Sequence, residues 1–173
     1  MKNNFFVLVP FIFLFTSTAV LAQSYIACAG IRLGTEWGVT GKYLVSPELH
    51  LTAEGIVQQS FRTQDGGITL LLEQHKSLLT RRFNIYYGGG VHYFWLANKV
   101  AEVSNPKGIS LIAGAEFTLG RLNISWDVKP ALHVAGGSGS LLEIQSGVSL
   151  RYVFERRIWR VDWNALKFWK KKS

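Results

Sequence analysis

The sequence predicts an all-β fold, an eight-stranded, antiparallel, up-and-down transmembrane β-barrel. Three observations lead there. Apolar side chains recur at alternate positions through most of residues 25–154, the period of a strand with one apolar face. Clusters of Gly, Pro, Asn and Ser divide that stretch into eight segments, an even number. The connections between segments alternate between short and long, as in barrels with tight turns at one rim and larger loops at the other.

The segments follow in order. Residues 25–35 and 38–45 form the first two, and Ser46-Pro47-Glu48 turns the chain back. The third, 49–62, sets Leu51, Ala53, Gly55, Val57 and Phe61 on one face and His50, Thr52, Glu54, Ile56, Gln58, Ser60 and Arg62 on the other. Residues 63–66 lead to the fourth, 67–76, and residues 77–81 to the fifth, 82–95. The longest connection, 96–107, precedes the sixth, 108–119, where Ile109, Leu111, Ala113, Ala115 and Phe117 oppose Ser110, Ile112, Gly114, Glu116 and Thr118. Gly120-Arg121 leads into 122–135, with Leu122, Ile124, Trp126 and Val128 against Asn123, Ser125, Asp127 and Lys129. Past 136–140, the eighth segment, 141–154, sets Leu142, Ile144, Val148, Leu150, Tyr152 and Phe154 against Glu143, Gln145, Gly147, Ser149 and Arg151.

Alternation alone does not choose the solvent, since a soluble periplasmic lipid-binding barrel alternates too. The polar faces decide. They carry Gly, Ser, Thr and Gln with isolated charges, where a solvated exterior would carry many long charged side chains. That composition suits the narrow lumen of eight strands, which side chains must fill. Aromatic residues gather near both ends of the apolar faces, Tyr43, Phe83, Phe117, Tyr152 and Phe154 at one and Trp37, Phe61, Tyr93 and Trp95 at the other, like interfacial girdles.

Composition narrows the field further. With 173 residues, 48% apolar and 17% charged, the chain makes one domain and is too apolar to remain disordered. Cys28 is the only cysteine, so a disulfide scaffold is excluded. Of the net charge of +8, +5 lies in residues 155–173 and only +2 in residues 23–154. The body is therefore no polyanion-binding surface, and nucleic acid is not expected as a partner.

The first 22 residues are expected to be a cleaved signal peptide: Lys2, a run of apolar residues from Phe5, and small residues up to Ala22. Residues 23–154 then form the barrel and 155–173 a basic aromatic periplasmic tail. In that tail Trp159, Trp163, Phe168 and Trp169 are interspersed with basic residues including Lys170 and Lys171, which suits an anionic membrane surface.

Gly30-Ile31-Arg32-Leu33-Gly34, Gly41-Lys42-Tyr43, Ala53-Glu54-Gly55, Tyr86-Tyr87-Gly88-Gly89-Gly90-Val91-His92 and Trp126-Asp127-Val128-Lys129-Pro130 resemble the small outer-membrane β-barrel family related to the transmembrane domain of outer membrane protein A. The resemblance spans residues 25–154. It implies a Gram-negative outer-membrane location, with outer-membrane lipids as surroundings. Residues 147–154 resemble the last-strand signal that the barrel assembly machinery receives, which implies that machinery as a partner during insertion. In that family the chain commonly ends at the final aromatic residue, whereas nineteen residues follow Phe154 here.

With polar faces inward, the lumen collects Arg32, Lys42, Lys129 and Arg151 with Glu54, Glu73, Glu116, Asp127 and Glu143. Charges confined in a narrow barrel need partners, so a paired network plugging the lumen is expected. The function read from this is a structural or interaction role through the extracellular loops, chiefly 96–107, toward an external ligand that the sequence does not identify. Small outer-membrane barrels also include lipid A deacylases and acyltransferases. His133, Ser138, Ser140 and Glu143 could be drawn into such chemistry, but their spacing is not diagnostic and no catalytic residue is assigned. His50, His75 and His92 occur singly on polar faces and no pair has metal-ligand spacing, and no glycine-rich stretch forms a phosphate loop. Metal and cofactor are therefore not expected.

Overall fold

The computed structural model describes residues 25–80, 82–97, 104–136 and 141–156. Eight strands run in chain order, β1 (Tyr25–Gly34), β2 (Glu36–Ser46), β3 (Leu51–Ser60), β4 (Gly66–Thr80), β5 (Phe83–Trp95), β6 (Lys107–Leu119), β7 (Leu122–Ala135) and β8 (Leu142–Arg156). Each pairs antiparallel with the next, and β8 returns to β1 through pairs such as Ile31 with Leu150 and Arg32 with Ser149. The sheet is thus a closed eight-stranded barrel with no free edge. Residues 1–24 and 157–173, which hold the expected signal peptide and nearly all of the expected tail, lie outside the described residues.

Strand ends differ from expectation by a few residues. β2 begins at Glu36, because the ladder to β3 continues through Glu36 with Ser60 and Trp37 with Gln59, leaving Thr35 alone between β1 and β2. β4 continues to Thr80, because Ser77 pairs with Asn84 and, after a bulge, Thr80 with Phe83. Ser77 is a turn former by type, but here closure of the ladder outweighs its local preference.

The rim with the β2–β3, β4–β5 and β6–β7 connections is called the turn end, and the opposite rim the loop end. At the turn end, Gly120 of the two-residue β6–β7 connection has φ +65°, a left-handed conformation that glycine adopts freely.

Alternation sorts the side chains into an inside and an outside. Ile31, Val39, Leu70, Leu111, Ile144 and Leu150 point outward and are each 43–63% exposed. Arg32, Lys42, Glu54, Glu73, Glu116, Asp127 and Arg151 point inward and are buried. Buried polar and charged side chains outnumber buried apolar ones two to one among the described residues, the inverse of a water-soluble domain. Two apolar clusters interrupt the polar interior, Ile56, Leu71, Tyr86 and Ile112 around mid-height and Tyr25, Cys28 and Val153 near the turn end.

Candidate functional site

The interior is the site, and its polar side chains form connected tiers. The lowest tier begins at Arg151 of β8, whose guanidinium donates to Glu54 of β3, to Ser125 Oγ at 2.7 Å and to Asn123 Oδ1 at 3.3 Å. Thr40 also donates to Glu54. Lys42 Nζ lies 3.5 Å from Glu54 and 2.6 Å from Glu73, so the lysine links two carboxylates. His75 continues the chain, its ring nitrogens 3.2 Å from Glu73 and 3.2 Å from Glu116. Tyr25 Oη donates to Glu116 at 2.9 Å, and Asn84 Nδ2 at 3.2 Å. The path from Arg151 to Glu116 crosses from β8 through β3, β2 and β4 to β6. It sits at full burial, where an unpaired charge would be strongly unfavourable.

A second group lies beside it. Arg32 Nη1 donates to Asp127 Oδ2 at 2.7 Å, and Tyr86 Oη donates to the same oxygen at 3.0 Å. Lys42 Nζ stands 3.7 Å from the Tyr86 ring centroid, joining the two groups by a cation–π contact. Two inward glycines make the room. A Cβ on Gly147 would lie 2.7 Å from Arg32 Cζ, and one on Gly114 2.7 Å from Tyr86 Cζ.

Toward the loop end the partners become neutral. Lys129 Nζ donates to Gln58 Oε1 at 2.8 Å and Thr69 Oγ1 at 3.2 Å, with no carboxylate in ion-pair range among the described residues. Gln58 passes the polarity on to Gln145 at 2.8 Å, and Gln145 Nε2 donates to Glu36 at 2.7 Å and Glu143 at 2.8 Å. Glu143 is a rim residue, its side chain 42% exposed. Strand β8 nears its upper end there, so its carboxylate reaches the mouth of the barrel and not the buried network below.

A column of four side chains also stands at this rim. Ser110 Oγ lies 2.8 Å from His92 Nδ1, His92 Nε2 lies 3.0 Å from His133 Nδ1, and His133 Nε2 lies 3.4 Å from Glu143. Neutral imidazoles satisfy the whole column with one donor sense, from the Ser110 hydroxyl to the Glu143 carboxylate. His92 stacks on Phe94 at 4.6 Å. Ser110, the only hydroxyl in the column, is fully buried. Ser138 and Ser140 lie outside the described residues, as do Trp159, Trp163, Phe168, Trp169, Lys170 and Lys171.

Tyr25, Glu36 and Thr40 take part in these contacts without having been singled out in the sequence, and His75 and His92, lone histidines on polar faces there, acquire their partners only in the fold. Inward parity was the available signal for most of them. Among the described residues no group of three or more His, Cys, Asp or Glu is placed to hold a metal ion.

These features define a class, a closed eight-stranded barrel with an apolar outer surface and a hydrogen-bonded ionic interior. Among solved structures the chain is similar to the N-terminal β-barrel domain of Pseudomonas aeruginosa OprF, with a TM-score of 0.56, 10% sequence identity, and coverage of 76% of this chain and 98% of that one. The shared property is the fold, a β-barrel. No protein-family description and no curated protein matches the sequence significantly.

Proposed function

We propose that this chain is an outer-membrane protein of structural or interaction role, with a lumen plugged by the charge-paired network and with loops that contact something outside the cell. The observation that carries the proposal is the inverted distribution of polarity. The apolar exterior would be an aggregation surface in water, whereas in a bilayer it is the lipid-facing band of a closed barrel whose strands pair all the way round. Trp37, Tyr93 and Trp95 toward the loop end and Tyr43, Tyr152 and Phe154 toward the turn end supply two aromatic belts. The turn end then faces the periplasm, and the β5–β6 connection, residues 96–106 and the longest in the sequence, lies at the outer rim. Export by the first 22 residues and insertion by the barrel assembly machinery belong to the same proposal.

Electrophoresis of the membrane fraction in detergent, with and without boiling, tests it. The expected result is a detergent-extracted band whose mobility changes on boiling. A protein found in the soluble periplasmic fraction, with mobility unchanged by boiling, overturns the reading.

A further inference from the structure

The outer surface at the turn end carries two guanidinium groups held by neutral partners. Arg121, in the β6–β7 turn, donates from Nη1 to Tyr152 Oη at 2.7 Å and lies 5.8 Å from that ring's centroid. Arg156, at the end of β8, donates from Nε to Gly120 O at 3.0 Å. Both are exposed, and among the described residues neither has a carboxylate in ion-pair range. Both guanidinia are thus tied to the β6–β7 hairpin through neutral partners. A planar guanidinium fork matches a phosphate better than a point charge does.

An apolar groove runs over the outer face of β1–β5 and reaches β8 at Phe154. Two adjoining depressions of about 630 and 710 Å3 share Gly41, Gly55 and Phe154. These outward glycines differ from the inward ones. A Cβ on Gly41 or Gly55 would meet nothing closer than 3.7 Å, so the missing side chains leave open space and do not permit a close backbone approach. Phe154 lies edge-to-face with Tyr152 at 5.5 Å, joining the groove to the arginine pair.

We propose that this face holds one anionic phospholipid of the periplasmic leaflet, its phosphate on Arg121 and Arg156 and one acyl chain along the groove past Phe154. The inference rests on the outer-membrane reading and adds the class of lipid and its place. Charge complementarity selects the occupant, because the site offers two cations to a headgroup and an apolar channel linked to them through Phe154 and Tyr152.

Native mass spectrometry of the full chain in detergent, with phosphatidylglycerol or phosphatidylcholine of identical acyl chains added, tests the proposal. The expected result is preferential retention of one phosphatidylglycerol. Its retention falls about fivefold for each of Arg121→Gln and Arg156→Gln, and it falls in Gly55→Leu, which fills the groove without altering charge. Equal retention of the two lipids, unchanged retention in the arginine variants, or displacement by equimolar inorganic phosphate overturns it. The arginine variants are made singly as well as together, and each is checked for the mobility change on boiling, so that loss of folding is not read as loss of lipid. A wild-type chain without that change sinks the membrane reading itself. A chain that shows it yet does not prefer phosphatidylglycerol sinks only the lipid site.

Discussion

Arg151 meets Glu54, Thr40, Ser125 and Asn123 at once, and Glu54 in turn faces Lys42. Removing the guanidinium alone leaves a buried carboxylate short of its main donor. Arg151→Met is therefore expected to destabilise the folded barrel by about 3–5 kcal/mol, whereas Arg151→Met combined with Glu54→Leu loses less than the single variant, because both charges leave together. Urea unfolding in detergent, followed by the boiling-sensitive band, gives the midpoints. A single-variant loss below about 1 kcal/mol, the size of an exposed ion pair, contradicts the arrangement. At this scale the sequence was informative about direction and not about partners. Inward parity marks Arg32, Lys42, Glu54 and Arg151 as interior residues. That Lys42 bridges Glu54 and Glu73, while Lys129 rests on Gln58 and Thr69, depends on which strands face one another across the closed barrel. His75 is a lone histidine on a polar face in the sequence, and only closure sets it between Glu73 and Glu116.

Along each strand the same glycine has opposite meanings on the two faces. Gly90 of β5 points inward, where a Cβ would sit 1.8 Å from the Leu70 carbonyl oxygen, and one on Gly88 would sit 2.1 Å from that of Leu72. These positions let β5 and β4 coil tightly enough to close a small barrel. Gly90→Ala is expected to lower stability by at least about 1–3 kcal/mol, the range of an overpacked core. Gly41→Ala, which points outward into the groove, changes it by less than about 0.5 kcal/mol. Equal unfolding midpoints for the two variants would show that the inward approach is not required. Strand identity was legible because period two survives the substitutions that a lumen demands, including Ile56 and Ile112 on the otherwise polar face. Strand ends were less so. The continuation of β4 to Thr80 is set by its pairing with β5, a long-range demand that residue type at Ser77 does not carry.

For the molecule as a whole, the tiers divide the lumen along its length: apolar Tyr25, Cys28 and Val153 at the turn end, the ionic network above them, and the Lys129–Gln58–Gln145 chain with the histidine column at the loop end. The proposed plug predicts that no water-soluble reagent reaches the interior, and the protein carries its own reporter of that property. Cys28 is the only cysteine in the chain and is 2% exposed, on the inner face of β1 among Tyr25 and Val153. A hydrophilic maleimide added from either side of a vesicle holding the folded barrel is expected to leave Cys28 unmodified over a period in which the boiled, denatured chain reacts fully. Thiolate attack needs both access and deprotonation, so a small neutral thiol reagent that partitions into lipid serves as the control for reactivity without an aqueous path. Modification of the folded barrel by the hydrophilic reagent means an open aqueous path reaches the lower lumen, and the plug then gives way to a pore. Protection of the same thiol, together with the mobility change on boiling, is the result that a plugged lumen predicts.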